Sequence, residues 1–303
     1  METLNSKFLD YVKQAINLSK SSTHITEENV YQEGDANILP FLDGMVDALV
    51  LPGSGVDGME NFVDLHEKAK SGKSCLLLPE HYSNLDLSLI HRLVARDGKP
   101  EISAAIMAIA GMKLSEESRV VSAFASAYTR LVIYPSRSLI SLDAVKDREE
   151  IVRSNAINRA AMKILLDIKV KGKLVLVFPS GTRYRPWDPG TKRGVREIDS
   201  YIKSFDYMCP VSINGEILHV RQGDMMEDSV SPDVVRIGAG PVISCAEFRD
   251  RIRAEADAAE KTGGEAPDKK QAVADAIMAI LENMHIKGEK NREKFLARKT
   301  SAL

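Results

Sequence analysis

The sequence predicts an α/β fold: a mixed, mostly parallel sheet flanked by helices on both faces, with a short helical N-terminal segment and a helical C-terminal tail. Three observations predict it. From about Met59 onward, short apolar runs alternate with longer stretches of helical periodicity. Turn residues such as Gly72 and Pro79 punctuate the changeovers. The chain has 303 residues, 44% of them hydrophobic and 28% charged, which is ordinary for a globule with one large core. The organisation read from this is a helical segment and linker over 1–57 and an α/β domain with C-terminal helices over 58–303.

The elements follow in chain order. Ser6 to Lys20 carries apolar residues at Phe8, Val12, Ala15 and Ile16, one face of a short helix. A polar stretch from Ser21 to Asn37 follows, and then an apolar run, MVDALVL, which a dinucleotide-binding loop after it would require to be a strand. Met59 to Ser71 is a helix closed by Gly72. Cys75 to Pro79 (CLLLP) is a short buried strand, and Leu85 to Arg96 a helix. Ile102 to Met107 and Leu131 to Tyr134 read as strands, and Leu142 to Lys169 as a long charged helix. Leu174 to Phe178 (LVLVF) is the clearest strand, and Val211 to Ile213 and Val234 to Ile237 add two more. The tail from Cys245 is helical, turns at Gly263-Gly264, and continues from Lys269 to Met284.

Composition excludes several function classes. The net charge is −2 and aromatic residues make up 6%, so neither a basic field nor stacking platforms point to nucleic acid. Cys75, Cys209 and Cys245 are far apart and form no metal-finger spacing, so no metal site is expected. No stretch approaches the ~20 apolar residues of a membrane span. A cytoplasmic or stroma-like location follows, with peripheral membrane contact still open. The basic ending, KGEKNREKFLARK, reads as a solvated helix face or as a docking site for an acidic partner or anionic lipid.

Two motifs compete for the chemistry. Gly53-Ser-Gly55-Val-Asp-Gly58 has the spacing of a dinucleotide-binding loop before a helix, which would make the protein an NAD-dependent oxidoreductase. Pro52 and Asp57 argue against it, and a glycine-rich linker is the simpler reading. The second motif is His81-Tyr-Ser-Asn-Leu-Asp86, directly after the CLLLP strand. A loop of this length lets Asp86 reach the His81 Nδ1–H, which fixes the tautomer and leaves Nε2 as a base. The spacing alone is weak. A second match runs from His219 to Asp224, and Ser83-x-x-Asp86 is also a capping box.

The rest of the chain shifts the balance. After LVLVF comes Pro179-Ser180-Gly181-Thr-Arg183-Tyr-Arg185-Pro-Trp, and Arg137 follows the LVIY strand. Three strand ends thus carry a histidine, an arginine and an arginine pair. Ligands of open α/β sheets bind beyond the carboxyl ends of the strands. Arginines gathered there suit a phosphate or carboxylate, and Gly181 lets the backbone come close. The plainer reading pairs these arginines with Asp188 or Glu197.

In this block order the chain resembles the glycerolipid acyltransferases. It is most similar to the soluble, chloroplast-type glycerol-3-phosphate acyltransferases, whose third block reads PSG-x-R-x-RP, as Pro179 to Pro186 does here. Many membrane-bound relatives have Glu where Ser180 stands. Arg153-Ser154-Asn155 and Ile237-Gly238-Ala239-Gly240 look similar to the same branch, and the likeness spans Met59 to Cys245. In the second block that branch has a Lys-His pair where this chain has Arg137-Ser138. The resemblance implies acyl transfer from acyl-carrier protein or acyl-CoA to the sn-1 hydroxyl of glycerol 3-phosphate, in phospholipid biosynthesis. His81 is then the general base and Asp86 its orienting partner. Arg137, Arg183 and Arg185, with Ser180 and Gly181, hold the acceptor. No cofactor and no acyl-enzyme are implied. Lysophosphatidate or another glycerolipid is the alternative acceptor. The oxyanion donors are placed at the start of the Leu85 helix; Ile102 to Met112 reads as core packing or as the wall of an acyl groove, and Lys192, Arg193 and Arg196 as a solvated loop or a docking site for an acidic carrier.

Overall fold

The computed structural model describes residues 2–19, 24–112, 119–135, 138–139, 142–143, 145–261 and 268–300. The elements in chain order are β1 (Glu2–Thr3), α1 (Leu4–Leu18), β2 (Tyr31–Gln32), α2 (Leu39–Leu49), β3 (Gly55–Asp57), α3 (Met59–Lys70), β4 (Cys75–Pro79), α4 (Asp86–Arg96), α5 (Pro100–Ala105) and β5 (Ile106–Gly111). There follow α6 (Arg119–Ala125), β6 (Arg130–Ile133), α7 (Arg148–Ile168), β7 (Leu174–Leu176), α8 (Ile198–Ser204), β8 (Tyr207–Asn214), β9 (Leu218–His219), β10 (Ser229–Val230), β11 (Arg236–Ala239), β12 (Ile243–Ser244), α9 (Cys245–Lys261) and α10 (Lys269–Thr300).

The main sheet runs β2-β6-β5-β7-β4-β8-β11-β3, with β12 also on β8. The five central strands, β6, β5, β7, β4 and β8, are mutually parallel. β2 and β11 join antiparallel, and β3 runs parallel to β11. β1, β10 and β9 form a small antiparallel ribbon.

Both sheet faces are covered, and β4 shows how. All five of its residues are buried. Cys75 and Leu77 enter one core with α1 to α4, while Leu76 and Leu78 enter a second core with α7 to α10. Successive side chains of a strand point to opposite faces, so a strand buried on both must be apolar throughout. β7 repeats the pattern, with Leu174 and Leu176 on the first side and Val175 and Val177 on the second. Leu4, Phe8, Val12 and Ala15 bury the N-terminal helix in the first core. The segment before residue 58 also gives the sheet β2 and β3.

Three expectations fail locally. The MVDALVL run is not a strand but the second half of α2, which starts at Leu39 with Pro40 in its first turn, a position where proline's missing N–H costs nothing. Ile102 to Met107 divides between α5, which Pro100 starts, and β5, so the strand begins four residues later than expected. The last helix runs on to Thr300 instead of stopping at Met284. The Gly263-Gly264 turn lies outside the described residues. Among the described residues, no helix is long and apolar enough to cross a membrane.

Candidate active site

Because β4, β5, β6 and β7 are parallel, their carboxyl ends open on one edge of the sheet. His81 stands two residues past the end of β4, and the Pro179–Pro186 loop follows β7. The backbone N–H of Tyr184 donates to the His81 carbonyl at 2.8 Å, tying the two loops together. Arg137, the expected third contributor, lies outside the described residues.

His81 and Asp86 meet. Nδ1 lies 2.9 Å from Asp86 Oδ2. An ionised carboxylate only accepts, so this bond places the proton on Nδ1 and leaves Nε2 with a lone pair. Among the described residues nothing bonds Nε2, and the side chain is 17% exposed. Asp86 is buried and takes three further bonds, from the Tyr82 N–H at 2.6 Å, the Ser83 N–H at 2.8 Å and the Ser83 hydroxyl at 2.8 Å. Ser83 and Asp86 do pair, but not as the anticipated capping box: Leu85 is the helix N-cap, without a side-chain cap bond, and the Ser83 hydroxyl donates to the carboxylate that holds the histidine. On its other side the imidazole stacks on Phe178, with ring centroids 3.8 Å apart and planes 16° from parallel. The ring is thus fixed in tautomer, plane and rotation.

Behind it, Glu80 is buried and fully engaged. It accepts from the Ile213 N–H at 2.8 Å and the Tyr82 hydroxyl at 2.9 Å, and lies 3.0 Å from His285 Nδ1 of α10. This bond holds His285 above its ordinary pKa, and burial together with Glu80 keeps Tyr82 a phenol. The network fastens the C-terminal helix to the strand end that carries His81.

The PSGTRYRP loop divides its labour. Gly181 has φ +64°, which glycine adopts without strain, and its N–H donates to the Phe178 carbonyl at 2.9 Å. Ser180 is buried, and its hydroxyl donates to the Thr182 carbonyl at 2.7 Å, so it shapes the turn. Arg183 Nη1 lies 3.5 Å from Asp228, and burial holds its guanidinium below the ordinary range. Arg185 and Asp86 both act on that charge, which puts the three groups in one neighbourhood. Among the described residues the side chain of Arg185 makes no hydrogen bond or ion pair. Neither arginine pairs with Asp188 or Glu197 through its side chain.

Two clefts meet at His81 and share Ile109 and Phe178 as walls. One, of about 160 Å³, is lined by Ile133, Val177, Val195, Ile198 and Tyr201, with Glu197 the acidic side chain among its described walls. The other, of about 110 Å³, holds Ser83, Asn84, Ser88, Tyr128 and Arg130 among Ala108, Ala110, Ala125 and Met225. The Ile102 to Met112 run does supply cleft walls, through Ala108 to Gly111.

Other expectations need correction. The amides of Leu85 and Asp86 are spent on Ser83, leaving Leu87 and Ser88, first-turn residues that line the second cleft, as the helix-end donors. Lys192, Arg193 and Arg196 pair with Glu282, Asp275 and Asp268 of the chain's own C-terminal region. In the basic ending, Arg292 bonds internally to Asp233 and Glu289. The glycine motif does not build a phosphate loop. A helix precedes it, Gly55–Asp57 is itself the edge strand β3, and the Val56 N–H is taken by Asp97 at 2.7 Å. All three cysteines are buried, and burial pushes their thiols up to about 12, so none is a nucleophile at neutral pH. Among the described residues no cluster of His, Cys, Asp or Glu has the arrangement of a metal site.

Sequence reasoning missed two members. Phe178 is the last residue of an apolar run, and nothing local distinguishes it from a core residue. Arg130 opens the LVIY strand and signals itself only as a charge beside an otherwise buried segment. No family model matches the chain, and no curated protein sequence matches it.

Proposed function

We propose that the protein is an acyltransferase that moves a fatty acyl group from an acyl-carrier-protein or acyl-CoA thioester to the sn-1 hydroxyl of glycerol 3-phosphate. The observation that carries this reading is the dyad: Nε2 of a histidine oriented by a buried carboxylate, without a partner among the described residues, where two largely apolar clefts meet.

An alcohol is a poor nucleophile at neutral pH. As its oxygen attacks the thioester carbonyl, His81 Nε2 takes its proton, which contributes 10²–10⁴-fold in such reactions. The C–O bond forms, the C–S bond breaks, and the imidazolium returns the proton to the departing thiolate. Asp86 stabilises that imidazolium without being protonated. The cleft walled by Ile133, Val177 and Val195 suits the acyl chain, each buried methylene adding about 0.8 kcal/mol. Its Glu197 disfavours an anion there, which leaves the cleft that Arg130 lines for the acceptor. Arg183 and Arg185 at the loop beside it supply charge for a phosphate, and Arg137 is the third residue assigned to that role.

The direct test is thiol release from acyl-CoA and from acyl-carrier protein, with and without glycerol 3-phosphate. Release that depends on glycerol 3-phosphate supports the reading. Release with lysophosphatidate alone moves the acceptor to a larger glycerolipid, and no release with either acceptor removes acyl transfer.

A further inference from the structure

Arg130 is the anomaly of the fold. It is 2% exposed, among the largest fully buried side chains, and none of its three guanidinium nitrogens has a hydrogen-bond partner among the described residues. Burial lowers its pKa to about 10, which still leaves it charged at neutral pH. A buried cation without a counter-charge is strongly unfavourable, and natural proteins pair such groups. The missing partner therefore belongs in the space that the side chain faces.

That space is the cleft beside His81. Arg130 starts β6 directly opposite Ala108 of β5, and Ala110 and Ala125 keep the surrounding wall low. Three small side chains stand between the buried guanidinium and the cleft whose wall it forms. Arg183 borders the same region through Asp228, whose backbone N–H donates to the carbonyl of Met225, a cleft residue. At about 110 Å³ the cleft suits a compact ligand and not a long chain.

We infer that Arg130 is the buried anion anchor of this cleft, pairing through its planar fork with the phosphate of a small phosphorylated acceptor whose hydroxyl lies toward His81. The choice of phosphorylated acceptor rests on the acyl-transfer reading. The need for an anion rests on Arg130 alone.

The test measures binding with no acyl donor present. Calorimetry of the wild-type protein should detect glycerol 3-phosphate, and glycerol at the same concentration should bind at least tenfold more weakly. Arg130→Met should raise the glycerol 3-phosphate Kd at least tenfold while melting no lower than wild type, because it removes an unpaired buried charge. Ala125→Leu, which narrows the cleft from a helix without touching the guanidinium, should also raise the Kd and covers the case in which Arg130→Met does not fold. Equal affinity for glycerol, or an unchanged Kd in either variant, would overturn the inference. Arg130-dependent binding without thiol release supports the site and discards acyl transfer. Thiol release with unchanged binding in Arg130→Met does the reverse.

Discussion

The chain contains the His-x4-Asp spacing twice, and the two copies fold differently. At the first, β4 ends and the chain turns at once into α4, so Asp86 in the first helical turn comes back to His81. At the second, His219 ends a short ribbon strand, and Asp224 instead caps a 3-10 turn by accepting the Met226 N–H at 2.8 Å. His219 finds other partners: Glu216 at 3.1 Å through Nδ1 and the Ser231 hydroxyl at 2.7 Å through Nε2. Both of its nitrogens are engaged, and it stacks on no ring. The spacing alone therefore does not bring the pair together. A strand that stops at the carboxyl edge of a parallel sheet, with a helix starting seven residues later, does.

The largest test of that contrast is His81→Ala. Turnover in the thiol-release assay should fall by ~10²-fold or more while circular dichroism stays unchanged. Near-normal turnover would remove the proposed base and with it the distinction between the two copies.

A third histidine shows what burial does without a carboxylate. His91 packs edge-on against Tyr128, with ring centroids 5.2 Å apart, and burial, aided by Arg92, lowers its pKa to about 4. The unfolded chain binds that proton near pH 6.5, the folded protein only near 4. Between those values the unfolded state holds more protons, so stability falls as the pH falls. The loss approaches about 3 kcal/mol by pH 4 and is absent above pH 7. Urea unfolding of wild type and His91→Leu across pH 4 to 8 should show a shallower acid slope in the variant. Parallel slopes would mean His91 stays accessible to protons in the fold.

The copies also differ in company. Arg183 acts on the same neighbourhood as Asp86, and Arg185 adds its charge. Arg183→Ala should raise the KM for glycerol 3-phosphate about tenfold and leave the acyl-thioester KM within twofold, the loss of roughly one charge-assisted contact. Equal changes in both would mean that Arg183 supports the loop through Asp228 and does not read phosphate.

Much of this was legible in the sequence, for local reasons. Continuous apolar runs such as CLLLP and LVLVF announce strands covered on both faces, and the residues just past them sit at the ligand edge whatever the details of packing. That is why the sequence alone places His81, Asp86, Arg183 and Arg185 at that edge. What could not be read depends on register and long-range pairing. Ser180 looked like a ligand contact, but its hydroxyl closes a turn two residues away. Lys192, Arg193 and Arg196 looked like a docking patch until the C-terminal region brought its acids alongside. Arg130 turns inward only because β6 aligns it with Ala108, which no local pattern discloses. The MVDALVL run misled because an apolar stretch of that length suits a strand and a buried helix face equally.

The smallest expected effect is the most discriminating. His219→Ala removes a histidine that matches the motif as well as His81 does. Its side chain is 31% exposed, and its bonds to Glu216 and Ser231 hold a surface ribbon and carry no reacting group. Partly exposed pairs of this kind contribute about 0–1 kcal/mol. Glu216, freed of the histidine, would sit in a site whose burial already raises its pKa, so it can take up a proton instead of remaining an unpaired charge. Turnover should therefore stay within twofold of wild type, with the ribbon slightly less stable. A loss comparable to that of His81→Ala would place the chemistry at the other copy, because a purely structural role this near the surface cannot cost 10²-fold in rate without unfolding the protein.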